Sequence, residues 1–242
     1  MNPNFQWHEG ADALSLAEHL AGEIAIKTND AILDKGSAVI ALSGGSTPKP
    51  MFEALAQHHI DWSKVILTLV DERWVDQNHE LSNSAFLKTY LIDHIEGTKP
   101  AFVSLYSPAN DVESSCDNVL DAYCQSTNST KESLREFDVV VLGMGGDGHT
   151  ASFFPDAPNI AELVDAKLNE PLLTCLSATT QVPRITWSVP MLLNTGFLAL
   201  HFTGDTKAAV FQQAATGGES TELPIRSVIF QDKTELNVFY AD

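Results

Sequence analysis

Short apolar runs recur along this 242-residue chain, and each ends abruptly in glycine or charge. Residues 38–42 read AVIAL and run into SGGST; 65–70 read VILTLV and run into DER; 138–142 read DVVVL and run into GMGGDGH. None shows the polar alternation of a half-exposed strand. Such a run reads as a strand covered on both faces, the pattern of a parallel sheet. Helical spacing fills the gaps. Leu14, Ala17, Leu20, Ala21, Ile24 and Ala25 recur at three- and four-residue steps over 11–35, and Gly36 stands where a left-handed residue closes a helix. Residues 51–59, 82–94, 112–126 and 206–215 also read as helices, with Ser82 or Asn83 as a cap of the second. Segments 101–105, 172–178, 184–189, 196–202, 225–230 and 236–240 read as further strands. Strands alternating with helices build βαβ units. The expectation is an α/β fold: a Rossmann-like, mostly parallel sheet with helices on both faces, in one domain spanning 1–242.

Charge narrows the partners. The chain carries 14 Lys+Arg against 32 Asp+Glu, a formal net charge of −18. Nucleic acid needs a basic footprint and an anionic membrane surface repels such a chain, so neither is an expected partner. Cys116, Cys124 and Cys175 form no CxxC pair, and the first residues lack the basic-then-apolar pattern of a signal peptide. A reduced, cytoplasmic setting is expected. If the substrate is anionic, so acidic a protein must gather its few cations in one place.

Three constellations carry chemistry. In the first, Ser43, Gly44, Gly45, Ser46 and Thr47 follow a strand and precede a helix, and glycine there lets backbone amides approach an anion. A tight turn with a hydroxyl cap explains the same residues. In the second, Asp71, Glu72 and Arg73 stand at a strand's carboxyl end, where α/β sheets bind ligands; all three are expected to face the crevice, with a solvated ion-pair cluster as the plainer reading. In the third, four glycines surround His149, with Asp147 two residues before it and Gly145 and Gly146 alongside. A histidine titrating near neutrality suits acid–base work, and Asp147 can steady its ring. GMGGDG formally matches a dinucleotide fingerprint, but no acid ends a strand at the required distance. His8, His19, His58, His59 and His94 read as surface residues and His201 as a satisfied core histidine. No cluster has zinc spacing, so no metal and no cofactor is expected.

In this order, SGGSTP, DERWV, Ser82-Asn83, GMGGDGHTASFFP, PRITWSVPMLLN and GDTK resemble the 6-phosphogluconolactonase family over residues 10–230. That family shares a NagB/RpiA/CoA transferase-like fold with glucosamine-6-phosphate isomerases and ribose-5-phosphate isomerases. The resemblance implies hydrolysis of 6-phospho-D-glucono-1,5-lactone to 6-phospho-D-gluconate in the oxidative pentose phosphate pathway. It implies His149 as the base that activates water, with Asp147 beside it. Arg73 would stand at the reacting end, with the 43–47 loop, Asp71, Gly145 and Gly146 lining the substrate and Arg184 and Lys207 helping to hold its phosphate. The family loop often has proline where this chain has Gly146. The expected partner is a small phosphorylated sugar lactone, and a monomer or homo-oligomer fits equally. Three rivals stay open: a phosphosugar isomerase or deaminase with Asp71 as base, a non-catalytic phosphosugar-binding module, and a nucleotide-binding oxidoreductase.

Overall fold

The computed structural model describes residues 3–242. Its strands are β1 (Phe5–Glu9), β2 (Ala38–Leu42), β3 (Val65–Leu69), β4 (Asp71–Arg73), β5 (Ala101–Val103), β6 (Phe137–Gly143), β7 (Leu172–Cys175), β8 (Arg184–Trp187), β9 (Thr195–Thr203) and β10 (Leu236–Ala241). Its helices are α1 (Ala13–Lys35), α2 (Lys49–Leu55), α3 (Asn83–Tyr90), α4 (Val112–Thr127), α5 (Ile160–Leu163), α6 (Val189–Leu193), α7 (Asp205–Ala215) and α8 (Arg226–Ile229).

Seven strands form one parallel sheet in the order β1-β10-β9-β6-β2-β3-β5. Every residue of β2 and β3 is buried, so both faces of the sheet centre are covered, which is why these strands show no alternation. Helix α1 packs along β2, β6, β9 and β10, and α6 and α7 also meet β9. The start of α1 is fixed by a capping box between Asp12 and Ser15, and its end by Gly36 in the left-handed region.

From β2 the chain steps outward to β3 and β5. It then returns to β6 on the other side of β2 and steps outward again through β9 and β10. The reversal opens a crevice at the carboxyl ends of β2 and β6, because the connections on its two sides leave in opposite directions. The two glycine-rich loops leave these two strands, so the topology brings them together although they lie far apart in sequence.

Three features depart from the expectation. Strand β1, not foreseen, pairs in parallel with β10 at one edge. Strands β4, β8 and β7 form a separate antiparallel sheet: the chain leaves β3 through Val70, and Asp71 enters the small sheet. Residues 225–230, expected as a strand, hold α8 instead. Ile225 and Ile229 stand four apart, both fully buried, and the Ile229 amide donates to the Ile225 carbonyl. The six residues IRSVIF mix apolar and polar side chains and fit a buried helical turn as well as a strand, and Pro224 opens this one.

Candidate active site

The loop after β2 is held at its base by the Ser43 amide, which donates to the Val141 carbonyl at 2.9 Å. Beyond it, the amides of Gly44, Gly45, Ser46 and Thr47 have no hydrogen-bond partner among the described residues, and neither do the hydroxyls of Ser43, Ser46 and Thr47. Consecutive free amides make a concave anion site. Glycine is required at 44: a β-carbon there would overlap the side chain of Asn83, whose amide nitrogen donates to the Asp71 carbonyl at 3.0 Å.

Strand β4 separates its three charges. Glu72 is 1 % exposed and turns away from the crevice toward the start of α3, correcting the expectation that all three face inward. Its carboxylate accepts from the amides of Arg73, Asn83 and Ser84 and from the hydroxyls of Ser82 and Ser84, at 2.7–3.1 Å. Burial pushes the Glu72 carboxyl up, and those donors pull it only partly back. Asp71 is buried and faces the crevice; its Oδ2 accepts from Ser152 Oγ at 2.6 Å and from Arg184 at 3.3 Å. Arg73 and Arg184 are direct partners in the β4–β8 pairing. Like charges opposite each other cost stability, so this placement points to an anionic ligand. Both guanidinium groups also keep a buried Nε–H with no partner among the described residues.

After β6, the loop folds back so that the Gly145 amide donates to the His149 carbonyl. His149 Nδ1 lies 2.6 Å from an Asp147 oxygen, and the ring stacks on Phe154 at 4.3 Å. A β-carbon at Gly145 would strike both His149 and Asp147, so this pair needs glycine beside it. Burial pushes the Asp147 carboxyl up, but the hydrogen bond, charge and amide of His149 outweigh it and hold the carboxyl below its ordinary value. The Arg184 guanidinium packs on the same Phe154 ring at 4.8 Å. Ala151, also in the cleft wall, is held at a φ of 47°, a left-handed strain stored at the site.

The last wall comes from β9 and α7. His201, 4 % exposed, and half-buried Lys207 complete a cleft of about 250 Å³. Burial lowers the Lys207 ammonium, which has no ion-pair partner among the described residues. Asp71 is the one carboxylate in the cleft wall, so Arg73 and Lys207 leave an excess of positive charge there.

Of the residues singled out from sequence, Ser43, Gly44, Gly45, Ser46, Thr47, Asp71, Arg73, Gly145, His149, Arg184 and Lys207 all line this cleft. Asp147 touches it only through His149, and Gly146 is exposed and outside the wall. Asn83 and Phe154 stand in motifs that carry the resemblance, but sequence reading gave neither a place in the site. It also missed His201, read as a satisfied core residue: neither ring nitrogen has a partner among the described residues. The one signal for His201 was a histidine in an otherwise apolar strand just before GDTK. The nucleotide reading fails on geometry: no helix opens on the loop after β6, and the next, α5, is a single turn well beyond it. No group of His, Cys, Asp and Glu suited to a metal occurs among the described residues, and no helix there is long and apolar enough to cross a membrane.

Comparison with known proteins gives one consistent result. The family model described as glucosamine-6-phosphate isomerases/6-phosphogluconolactonase matches residues 11–238. The chain is 38 % identical over 239 residues to a 6-phosphogluconolactonase of Mesorhizobium japonicum, covering 98 % of this chain and 96 % of that one. It is 36 % identical over 242 residues to that of Rhizobium meliloti, covering both in full. The crystal structure of a 6-phosphogluconolactonase from Shewanella baltica superposes with a TM-score of 0.89 at 31 % identity, over 98 % of each chain. With matches of this extent, and the motif loops meeting at one cleft, the chain belongs to the glucosamine-6-phosphate isomerase/6-phosphogluconolactonase family.

Proposed function

We propose that this protein is a 6-phosphogluconolactonase, hydrolysing 6-phospho-D-glucono-1,5-lactone to 6-phospho-D-gluconate. The observation that carries the reading is the His149–Asp147 pair at the wall of a cationic cleft. Asp147 accepts from Nδ1–H, which leaves the lone pair on Nε2 as the base. Nε2 takes a proton from water as its oxygen attacks C1 of the lactone. The tetrahedral oxyanion collapses, the bond from C1 to the ring oxygen breaks, and that oxygen takes the proton from His149. Arg73 stands at the reacting end. Such a donor is typically worth about 3–4 kcal/mol to the transition state. Arg184 packs on the same Phe154 ring as His149, which sets its charge beside the reacting end. The free amides of the 43–47 loop and Lys207 hold the phosphate.

A deaminase or isomerase moves a proton at C2 with a carboxylate. Asp71 is the carboxylate in the cleft wall, and Ser152 and Arg184 engage one of its oxygens and leave the other free among the described residues; the His149–Asp147 pair is what favours the lactonase. The direct test is hydrolysis of freshly made 6-phosphogluconolactone, with the spontaneous rate subtracted. Turnover no faster than background overturns the reading, and ammonia release from glucosamine 6-phosphate would replace it. Lys207→Ala is expected to raise KM about tenfold with kcat nearly unchanged, since a charged hydrogen bond is lost; a change confined to kcat would move Lys207 to the reacting end.

A further inference from the structure

We propose that His201 is a substrate-contacting residue, with one imidazole nitrogen hydrogen-bonded to the phosphate group that the 43–47 loop and Lys207 hold. The inference rests on that reading of the loop.

The motivating observation is an orphan. His201 is 4 % exposed and lines the cleft, yet neither Nδ1 nor Nε2 has a partner among the described residues. Buried polar side chains are almost always paired, and leaving one unpaired costs stability. Packing alone does not call for a histidine. Its partner across the sheet, Phe239, is fully buried and apolar, and leucine would pack beside it without the penalty. A partner arriving with the ligand removes the contradiction.

Position identifies the ligand group. In the β6–β9 pairing His201 stands opposite Gly143. A β-carbon on Gly143 would lie 3.3 Å from Ser43 Oγ, so the base of the 43–47 loop passes beside that register position. On the other side the chain turns at Gly204 into α7, which carries Lys207 in its first turn. His201 therefore belongs to the corner shared by the free amides and the free ammonium. Charge state fits as well. Burial, helped by the positive charge of Lys207, pulls the His201 imidazole down to about 4, so it is neutral near pH 7. A neutral ring beside a lysine does not repel it, and its N–H donates to a phosphate oxygen.

The experiment compares the wild-type protein with His201→Leu and His201→Asn on two substrates, phosphorylated and unphosphorylated glucono-1,5-lactone. Inorganic phosphate serves as a competitive inhibitor. In His201→Leu the preference for the phosphorylated lactone, as a ratio of kcat/KM values, should fall about tenfold, through KM and not kcat. The inhibition constant for phosphate should rise by the same factor. Asparagine, which keeps a donor, should recover part of the loss. In wild-type protein labelled with 15N-histidine, the His201 ring signals should move as phosphate is added. An unchanged preference, an equal loss on both lactones, or ring signals that stay still while phosphate binds would each overturn the proposal. If the leucine variant does not fold, the wild-type titration decides alone. If the wild-type protein shows no preference for the phosphorylated lactone, the phosphate reading of the loop falls first. If Lys207→Ala abolishes the preference and His201→Leu does not, only the role of His201 falls.

Discussion

The proposed base and its holder stand two residues apart in a loop where nothing larger than glycine fits at position 145. His149 is oriented by Asp147 at 2.6 Å and backed by Phe154, while Gly145 leaves the room both need. Removing the base should therefore leave the fold intact. His149→Asn is expected to lower kcat by about 10²–10⁴-fold with KM and melting temperature nearly unchanged, as steady-state kinetics and thermal unfolding will show. A fall in kcat of less than tenfold would exclude His149 as the base. This pair was legible in sequence because a histidine within four glycines has few structural duties. Gly146 was over-read from the same loop. Glycine richness does not say which of several glycines turns toward the ligand, and this one faces solvent. The place of His201 was illegible because it depends on what lies across a strand pairing, and that of Asn83 because it depends on what lies beneath a turn.

At the scale of elements, the cleft depends on a small sheet that the apolar runs did not announce. Strand β4 is three residues long and pairs with β8 from a distant part of the chain, so no local pattern marks it. That pairing sets Arg73 beside Arg184 and orients Asp71 toward Ser152. Glu72 anchors the strand from behind by filling the unsatisfied amides at the start of α3, where helix geometry favours an anion. Glu72→Gln keeps the shape but turns an amide N–H₂ toward groups that only donate or already do so. It should destabilise the protein by about 2–3 kcal/mol in urea unfolding. It should also reduce kcat, although Glu72 does not line the cleft. Wild-type stability in the variant would mean the anchor is dispensable. Elsewhere the long parallel core matched its sequence closely, since buried strands and amphipathic helices are written in local periodicity. The error at 225–230 marks the limit: six residues of which four are apolar do not distinguish a strand from one buried turn of helix.

For the whole molecule, a net charge of −18 coexists with a cleft whose wall is cationic. The surface field gives little long-range attraction to a phosphorylated substrate, so capture rests on contacts made inside the cleft. Acid should weaken the fold through the same region. Between about pH 6.5 and 4 an unfolded His201 binds a proton that the folded protein refuses, so stability falls as pH drops through this window, by about 3 kcal/mol at most. The depressed Asp147 carboxyl adds a further loss below the ordinary aspartate range. Unfolding free energy measured against pH should show the upper part of this slope flattened in His201→Leu; an identical slope would mean that other groups carry it. The edge of the main sheet has a different consequence, for the order of assembly. Strand β10, made last of the ten, is the one that joins β1, made first, to β9. As the chain leaves the ribosome, β1 has no partner and β9 keeps an open edge until the final strand emerges, so this flank is exposed to mispairing throughout synthesis. A chain cut short before Leu236 would lose the docking of two strands instead of one.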